Sequence, residues 1–293
     1  MRRSGLAALL FPLALVLAAG VAGAGERPAL LTLAYTANSL GEFRECPVCG
    51  AEALGGLGRR ATVFKDLRAE GKGKVMFFAG PYEFTPVVVR RPGSPDLARA
   101  LAQAYGLLGY DLGAVTPQEA EWLAAAGASL PGAWRRLDDK PHTVLIDRDG
   151  VKVAAVLFPA VDAARDPAAF EAALQAVRAE AGRSRSRAAL VVGVSPWGER
   201  AEGKFLEAAP GAVDVLLGGG QAMGYGVRPA AGGRTVWVRP PFDGRGVVVF
   251  DLLALPRGPE RAWKPGEHYA AEVRMLEQSI PQDPAAVNLF NGL

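Results

Sequence analysis

An apolar run from Leu30 to Tyr35 is followed by a polar loop and then by Ala61, Phe64 and Leu67, three residues apart. That spacing places the three side chains on one helical face, and a short apolar run bounded by polar residues reads as a buried strand. A strand, a loop and a helix in succession commit the chain to layered α/β packing, with a site expected in loops at the carboxyl ends of strands. Similar runs follow. Val75 to Ala79 reads as a second strand, broken by Gly80-Pro81, and Ala188 to Val194 and Val213 to Leu217 as two more. Leu97, Leu101, Tyr105 and Leu108 mark an amphipathic helix, as do Phe170, Leu174, Val177 and Ala181 after Asp166-Pro167. Thr116-Pro117 is a cap followed by proline and opens a helix through Ala126. Thr143 to Asp147 and Val151 to Phe158 flank Asp149-Gly150 as paired strands around a turn. Thr235 to Arg239 and Gly246 to Leu253 read as closing strands, and a helix is expected from His268 to Gln278.

At 293 residues, half of them hydrophobic, the chain can bury a large core. The formal net charge is +3, and Arg2 and Arg3 supply two of those charges. A nearly neutral remainder gives no case for nucleic acid or a membrane surface as partner. Met1-Arg2-Arg3, the apolar stretch Leu6 to Val21 and the small residues Val21-Ala22-Gly23-Ala24 form a signal peptide, residues 1–24, cleaved near Ala24 or Gly25. The expected location is therefore exported and periplasmic. Gly5 to Ala24 is also just long enough to span a bilayer, so an uncleaved anchor would be the one route to a membrane.

The two cysteines lie in the loop after the first strand, as Cys46-Pro47-Val48-Cys49-Gly50. Three readings stand. A Cys-x-x-Cys pair can carry thiol–disulfide exchange, with Cys46 as nucleophile, Cys49 as resolving thiol, and Arg44, Arg59, Arg60 and a helix start favouring the thiolate. An even cysteine count in an exported chain also suits a static disulfide, although so short a loop constrains the unfolded chain little. Cys-Pro-x-Cys-Gly is, lastly, the form of a zinc knuckle, which would need two chains to complete four ligands.

The strand ends, taken together, resemble the exported 5′-nucleotidase branch of the calcineurin-like metallophosphoesterases, and within it the UshA-like proteins, some of which carry selenocysteine in a comparable loop. That family ends its first strand in His-Thr-Asn-Asp-x-His-Gly, where this chain has Tyr35-Thr36-Ala37-Asn38-Ser39-Leu40-Gly41. Its Asp-x-Gly-Asp is here Phe78-Ala79-Gly80-Pro81, and Gly109-Tyr110-Asp111 leads to Pro117-Gln118-Glu119 in place of Asn-His-Glu. Ser-His-x-Gly is here Ser195-Pro196-Trp197-Gly198, and Gly-Gly-His-x-His is Gly218-Gly219-Gly220-Gln221-Ala222. The resemblance implies an α/β sandwich of two mixed β-sheets flanked by helices over residues 28–255. Residues 256–293 then form a helical extension in place of the C-terminal domain of 5′-nucleotidases.

Five motifs keep their strands and glycines while losing their metal ligands, so neither a metal nor another cofactor is expected. A two-metal centre needs several convergent His, Asp and Asn ligands, and His142 and His268 fall outside every motif. Gly218-Gly219-Gly220 lacks the Lys-Ser/Thr of a phosphate loop. Candidate residues for a remnant cleft are Asn38, Arg44, Gln118, Trp197, Gly219, Gly220 and Gln221; the chemical candidates are Cys46 and Cys49. The leading expectation is an exported, degenerate nucleotidase-like protein with thiol–disulfide chemistry, acting on a thiol or disulfide partner. A non-catalytic binder of a small nucleotide-like ligand with a structural disulfide is the alternative, and residual phosphoesterase activity a third.

Overall fold

The computed structural model describes residues 28–46, 53–71, 73–84, 94–222, 224–256 and 261–293. The signal segment and Cys49 lie outside the described residues. The first half of the chain runs β1 (Leu31–Thr36), β2 (Glu45–Cys46), β3 (Leu54–Gly55), α1 (Leu57–Glu70), β4 (Val75–Ala79), α2 (Pro95–Leu108), β5 (Leu112–Val115), α3 (Pro117–Ala125) and β6 (Trp134–Arg136). The second runs β7 (His142–Arg148), β8 (Val151–Leu157), α4 (Pro167–Ser184), β9 (Leu190–Ser195), α5 (Gly198–Ala208), β10 (Val215–Gly218), β11 (Gly226–Ala230), β12 (Thr235–Arg239), β13 (Gly246–Leu252), β14 (Tyr269–Met275) and α6 (Pro284–Asn288).

Among the described residues these strands form two six-stranded mixed sheets, ordered β14-β13-β1-β4-β5-β6 and β11-β12-β10-β9-β8-β7, and the separate ribbon β2-β3. Side-chain alternation along each strand explains the layering. Leu31, Leu33 and Tyr35 of β1 join Met76, Phe78, Val192, Val194, Val215 and Leu217 in a core between the two sheets. Ala34, Phe77 and Val249 point the other way, onto α1, α2, α3 and α6. Val156, Val191 and Leu216 face α4 and α5. Strands buried on both faces are apolar without a break, which is why the sequence shows runs rather than alternation. The result is the expected sandwich of two mixed sheets flanked by helices.

Local signals hold where chemistry is local. Thr116 caps α3 in a reciprocal box with Glu119, and Asp166 caps α4 ahead of Pro167. Asp149 and Gly150 both take positive φ, as a two-residue hairpin turn requires between β7 and β8. The helix expected from His268 to Gln278 is instead β14. Ala, Glu, Arg and Met favour a helix there, but antiparallel pairing with β13 along seven residues, Tyr269 to Leu252 through Met275 to Gly246, overrides that propensity. No helix of the described residues is long and apolar enough to cross a membrane.

Candidate functional site

The five loops of the sequence motifs follow β1, β4, β5, β9 and β10, and hydrogen bonds tie them together. The backbone N–H groups of Asn38, Leu40 and Gly41 donate to the carbonyls of Pro81 (3.2 Å), Tyr82 (2.9 Å) and Glu83 (3.0 Å), zipping the β1 loop to the β4 loop. Asn38, Leu40 and Tyr82 take positive φ to do so, a conformation that a leucine or tyrosine rarely adopts. Asn38 also accepts a hydrogen bond at Oδ1 from the Gly220 N–H, 2.8 Å. Gly219 N–H donates to Ser195 and Gly198 N–H to Gly219, closing the β9 and β10 loops on one another.

The contact is close enough to dictate glycine. A Cβ on Gly219 would lie 2.7 Å from Pro81 Cγ, and one on Gly220, at φ +75°, would lie 2.8 Å from the Pro196 carbonyl. Tyr82 completes the bridge. Its hydroxyl donates to Pro196 O at 3.1 Å and its N–H to Glu119 Oε2 at 3.1 Å. Burial, then the neighbouring Glu119, push its phenol up to about 12.

Three buried carboxylates surround these loops, and protein donors engage each of them. Glu119 accepts from the N–H groups of Thr116, Tyr82 and Phe84 and from the Thr116 hydroxyl. Burial raises its pKa above the ordinary carboxylate value even so, the backbone donors offsetting only part. Glu83 takes the Arg60 guanidinium at 3.2 Å, the Tyr105 hydroxyl at 2.8 Å and the Thr36 hydroxyl. Arg60 reaches on to Ser39 Oγ at 2.6 Å. Burial works to lower the Arg60 pKa, but Glu83, Tyr110 and Tyr105 together outweigh it and the guanidinium titrates well above its usual value. Glu202 pairs with Arg239 and accepts from Trp237 Nε1 at 2.8 Å. Its carboxyl is raised by burial, with Arg239 pulling the other way. Arg239 Nη2 donates to the carbonyls of Gly219 (3.1 Å) and Gly220 (2.8 Å).

The sandwich implies a metal pair at these loops, and the side chains present do not fit one. Leu40, Pro81, Pro117, Pro196, Gly220 and Ala222 offer no side-chain donor to a cation. The accessible lone pairs of Asn38 and Glu119 are turned to backbone N–H groups. Among the described residues no group of three or more His, Cys, Asp or Glu side chains comes together to hold a metal ion. His268 accepts from Lys264 N–H at Nδ1, and His142 sits on the edge strand β7.

The structure brings Asn38, Gly219 and Gly220 together and disperses the other cleft candidates. Gln118 stays at the surface on the first turn of α3 while Glu119 turns inward. Gln221 is exposed and contributes its carbonyl, which accepts from Glu199 N–H. Trp197 packs into a core of Phe158, Phe170 and Phe205, its indole N–H on the Pro159 carbonyl at 2.7 Å. Arg44 lies over the Phe43 ring and bonds to the Leu293 carbonyl.

Cys46 is half-buried on the ribbon, opposite Leu54, and no cysteine among the described residues is a free thiol. The arginines expected beside it are committed elsewhere: Arg60 to Glu83 and Ser39, Arg44 to Leu293, and Arg59 to Glu45 and the carbonyls of Ala53 and Gly55. The first helical amide, Leu57 N–H, donates to Phe43 O. Sequence reasoning missed Tyr82, Glu83, Glu202 and Arg239 as members of the site. Arg239 alone gave a signal, as a charge closing an otherwise apolar strand.

No protein-family model and no curated protein matches the sequence. Solved structures do. A 5′-nucleotidase precursor from Thermus thermophilus matches over 89% of this chain and 57% of its own, with TM-score 0.61 and 13% identity. The sulfate thiohydrolase SoxB of the same organism matches over 89% and 59%, with TM-score 0.62 and 15% identity. The calcineurin-like phosphoesterase YfkN of Bacillus subtilis matches over 89% and 95%, with TM-score 0.57 and 14% identity. The chain thus spans under three-fifths of the first two proteins. At these identities the likeness is one of fold: the chain has the metallophosphoesterase fold that 5′-nucleotidases use.

Proposed function

We propose that this chain is an exported, nucleotidase-like protein that has given up two-metal hydrolysis and works by thiol–disulfide exchange at Cys46 and Cys49. The observation that carries the reading is the state of the loops. Where the fold would gather metal ligands, Arg60–Glu83, Arg239–Glu202 and the four donors on Glu119 bind the loops to one another. In-line displacement at phosphorus needs charge to stabilise both the entering and the leaving oxygen, and among the described residues of these loops Glu83, Glu119, Glu202, Arg60 and Arg239 are engaged with protein partners. The chain's two cysteines are Cys46 and Cys49, the first of them on a ribbon outside both main sheets.

The step is ordinary exchange. A partner thiolate attacks one sulfur of the Cys46–Cys49 disulfide and displaces the other as thiolate. A second partner thiol resolves the mixed disulfide, so the protein gains two electrons and two protons and the partner leaves as a disulfide. Cys46 is the nucleophile in the reverse direction. With oxidised glutathione as probe, the Cys46 thiolate of Cys49→Ser should attack its disulfide, release one reduced glutathione and accumulate a mixed disulfide read by intact mass, while Cys46→Ser should not react. A wild-type disulfide with a potential below about −300 mV, in the range of structural bridges, would defeat the proposal.

The commitment of Arg44, Arg59 and Arg60 to other partners favours a second reading, a binding protein in which the disulfide is a staple. It predicts that neither variant exchanges and that the oxidised form alone binds its ligand.

A further inference from the structure

We infer that β7 is an interaction edge whose partner is β7 of a second copy of this chain, the two strands pairing antiparallel about a two-fold axis at Leu145. This assembly is independent of the chemistry proposed for the cysteines. A sheet edge offers N–H and C=O groups to any passing strand, and proteins guard such edges with short strands, proline and charge. In the two main sheets the edges are β14 and β6, and β11 and β7. β6 has only three residues, β11 carries Arg228 and Pro229, and β14 carries Glu272 and Arg274. β7 is different. It is seven residues long, its middle is Val144-Leu145-Ile146, and Leu145 is 45% exposed.

The hairpin fixes which groups this edge presents. Arg148 and Val151 flank the two-residue turn Asp149-Gly150 and exchange hydrogen bonds, and the exchange recurs at every second residue, Ile146, Val144 and His142. The N–H and C=O groups of Thr143, Leu145 and Asp147 therefore point away from β8, and among the described residues no backbone group from another element bonds to them. An antiparallel partner must pair with these residues, which leaves few registers. Those that set Pro141 opposite Leu145 or Asp147 lose a donor, since proline has no N–H. Centring on Asp147 sets carboxylate against carboxylate, and pairing Leu145 with Asp147 sets a charge on the exposed leucine.

Centring on Leu145 satisfies every pair. Leucine meets leucine at the axis, and Asp147 meets the neutral Thr143 of the second copy. On the opposite face Val144 meets the second copy's Ile146, and both residues already pack against the core between the sheets, so the seam continues an existing apolar layer. The charges beside the seam have partners within their own chain. Asp147 lies across from Lys152 on β8, Arg148 pairs with Asp111, and Glu180, which accepts from the Thr143 hydroxyl, pairs with Arg183. A two-fold contact requires a patch that complements itself, and this register of β7 supplies one in both hydrogen bonds and side chains.

The test is sedimentation velocity of the full mature chain over a concentration series, for wild type, Leu145→Lys and Leu107→Lys. Leu107 lies on α2 and is 51% exposed, so it controls for exposed leucine in general. Wild type and Leu107→Lys should dimerise alike. Leu145→Lys should weaken the dimer more than about tenfold, because each copy loses a buried leucine and sets an ammonium against its like at the axis. Leu145 is a surface residue, so the variant should keep the wild-type circular dichroism spectrum. Hydrogen exchange of the wild type at low and high concentration needs no substitution, and peptides covering residues 142–148 should gain protection as the dimer forms. A wild type still monomeric at about 0.1 mM, a dimer that Leu145→Lys leaves intact or that Leu107→Lys weakens equally, or a dimer that leaves residues 142–148 unprotected would each overturn the inference.

Discussion

Replacing Arg239 by methionine removes one half of a fully buried ion pair while roughly keeping its volume. In the wild type, Arg239 is 4% and Glu202 0% exposed. The variant leaves Glu202 with Trp237 Nε1 and the Ser195 side chain as donors and strips the carbonyls of Gly219 and Gly220 of their guanidinium. Breaking a buried pair by removing one partner costs about 3–5 kcal/mol, most of it the burden of an uncompensated charge. The pH dependence follows from Glu202. Its folded-state pKa lies above the ordinary 4.5 because burial outweighs Arg239. A raised carboxyl pKa means that the folded protein still binds a proton that the unfolded chain has released, so stability falls as pH rises through the window between the two values. Without Arg239 the upper edge of that window moves further up. Urea denaturation should therefore show a deficit that is small near the ordinary carboxylate pKa and grows as pH rises. Adding Glu202→Gln should restore a large part of it at neutral pH, giving a coupling of the size expected for contacting residues, about 1–3 kcal/mol. A loss below about 1 kcal/mol at neutral pH, or one unchanged across the range, would refute the claim that this pair locks the β10 loop.

Other substitutions probe the remaining joints. Glu119→Gln presents an amide to backbone N–H groups that now share two carboxylate oxygens, and should cost about 1–3 kcal/mol in urea denaturation. Gly219→Ala places a methyl 2.7 Å from Pro81 Cγ and 3.0 Å from the Ser195 carbonyl, and should lower stability by about 1–3 kcal/mol through overpacking. Cys46→Ser should cost no more than about 2 kcal/mol by chain entropy, because Cys46 and Cys49 close a very short loop. Trp197→Ala should cost about 3–5 kcal/mol as a core truncation, without altering the glutathione equilibrium of the cysteines.

The sequence carried the layers well and the site only in outline. The runs at β1, β4, β9 and β10 are legible because strands buried on both faces leave no polar residue to confuse the pattern. Thr116-Pro117 and Asp166-Pro167 are legible because capping is decided within a few residues. At β14 the choice lay with a partner strand distant in sequence, so local propensity pointed the wrong way. The site failed to show for the same reason. Arg60 and Glu83 are 23 positions apart, and Glu202 and Arg239 are 37 apart. Nothing in the local pattern marks a charged residue as buried, because its partner, not its neighbours, makes burial tolerable. Arg59 and Arg60 are adjacent on α1, yet one clamps the ribbon and the other enters the Glu83 network. Trp197 follows a strand that ends at the site, but its ring turns into the aromatic core behind it.

The most direct test of the account is elemental analysis of the mature protein after equilibration with manganese, iron or zinc and removal of free ion. Loops closed by Arg60–Glu83, Arg239–Glu202 and the Glu119 donors should retain no stoichiometric metal at this site, and nucleotides added to the treated protein should not be hydrolysed. About two metal ions per chain, with nucleotidase activity that a chelator abolishes, would contradict it.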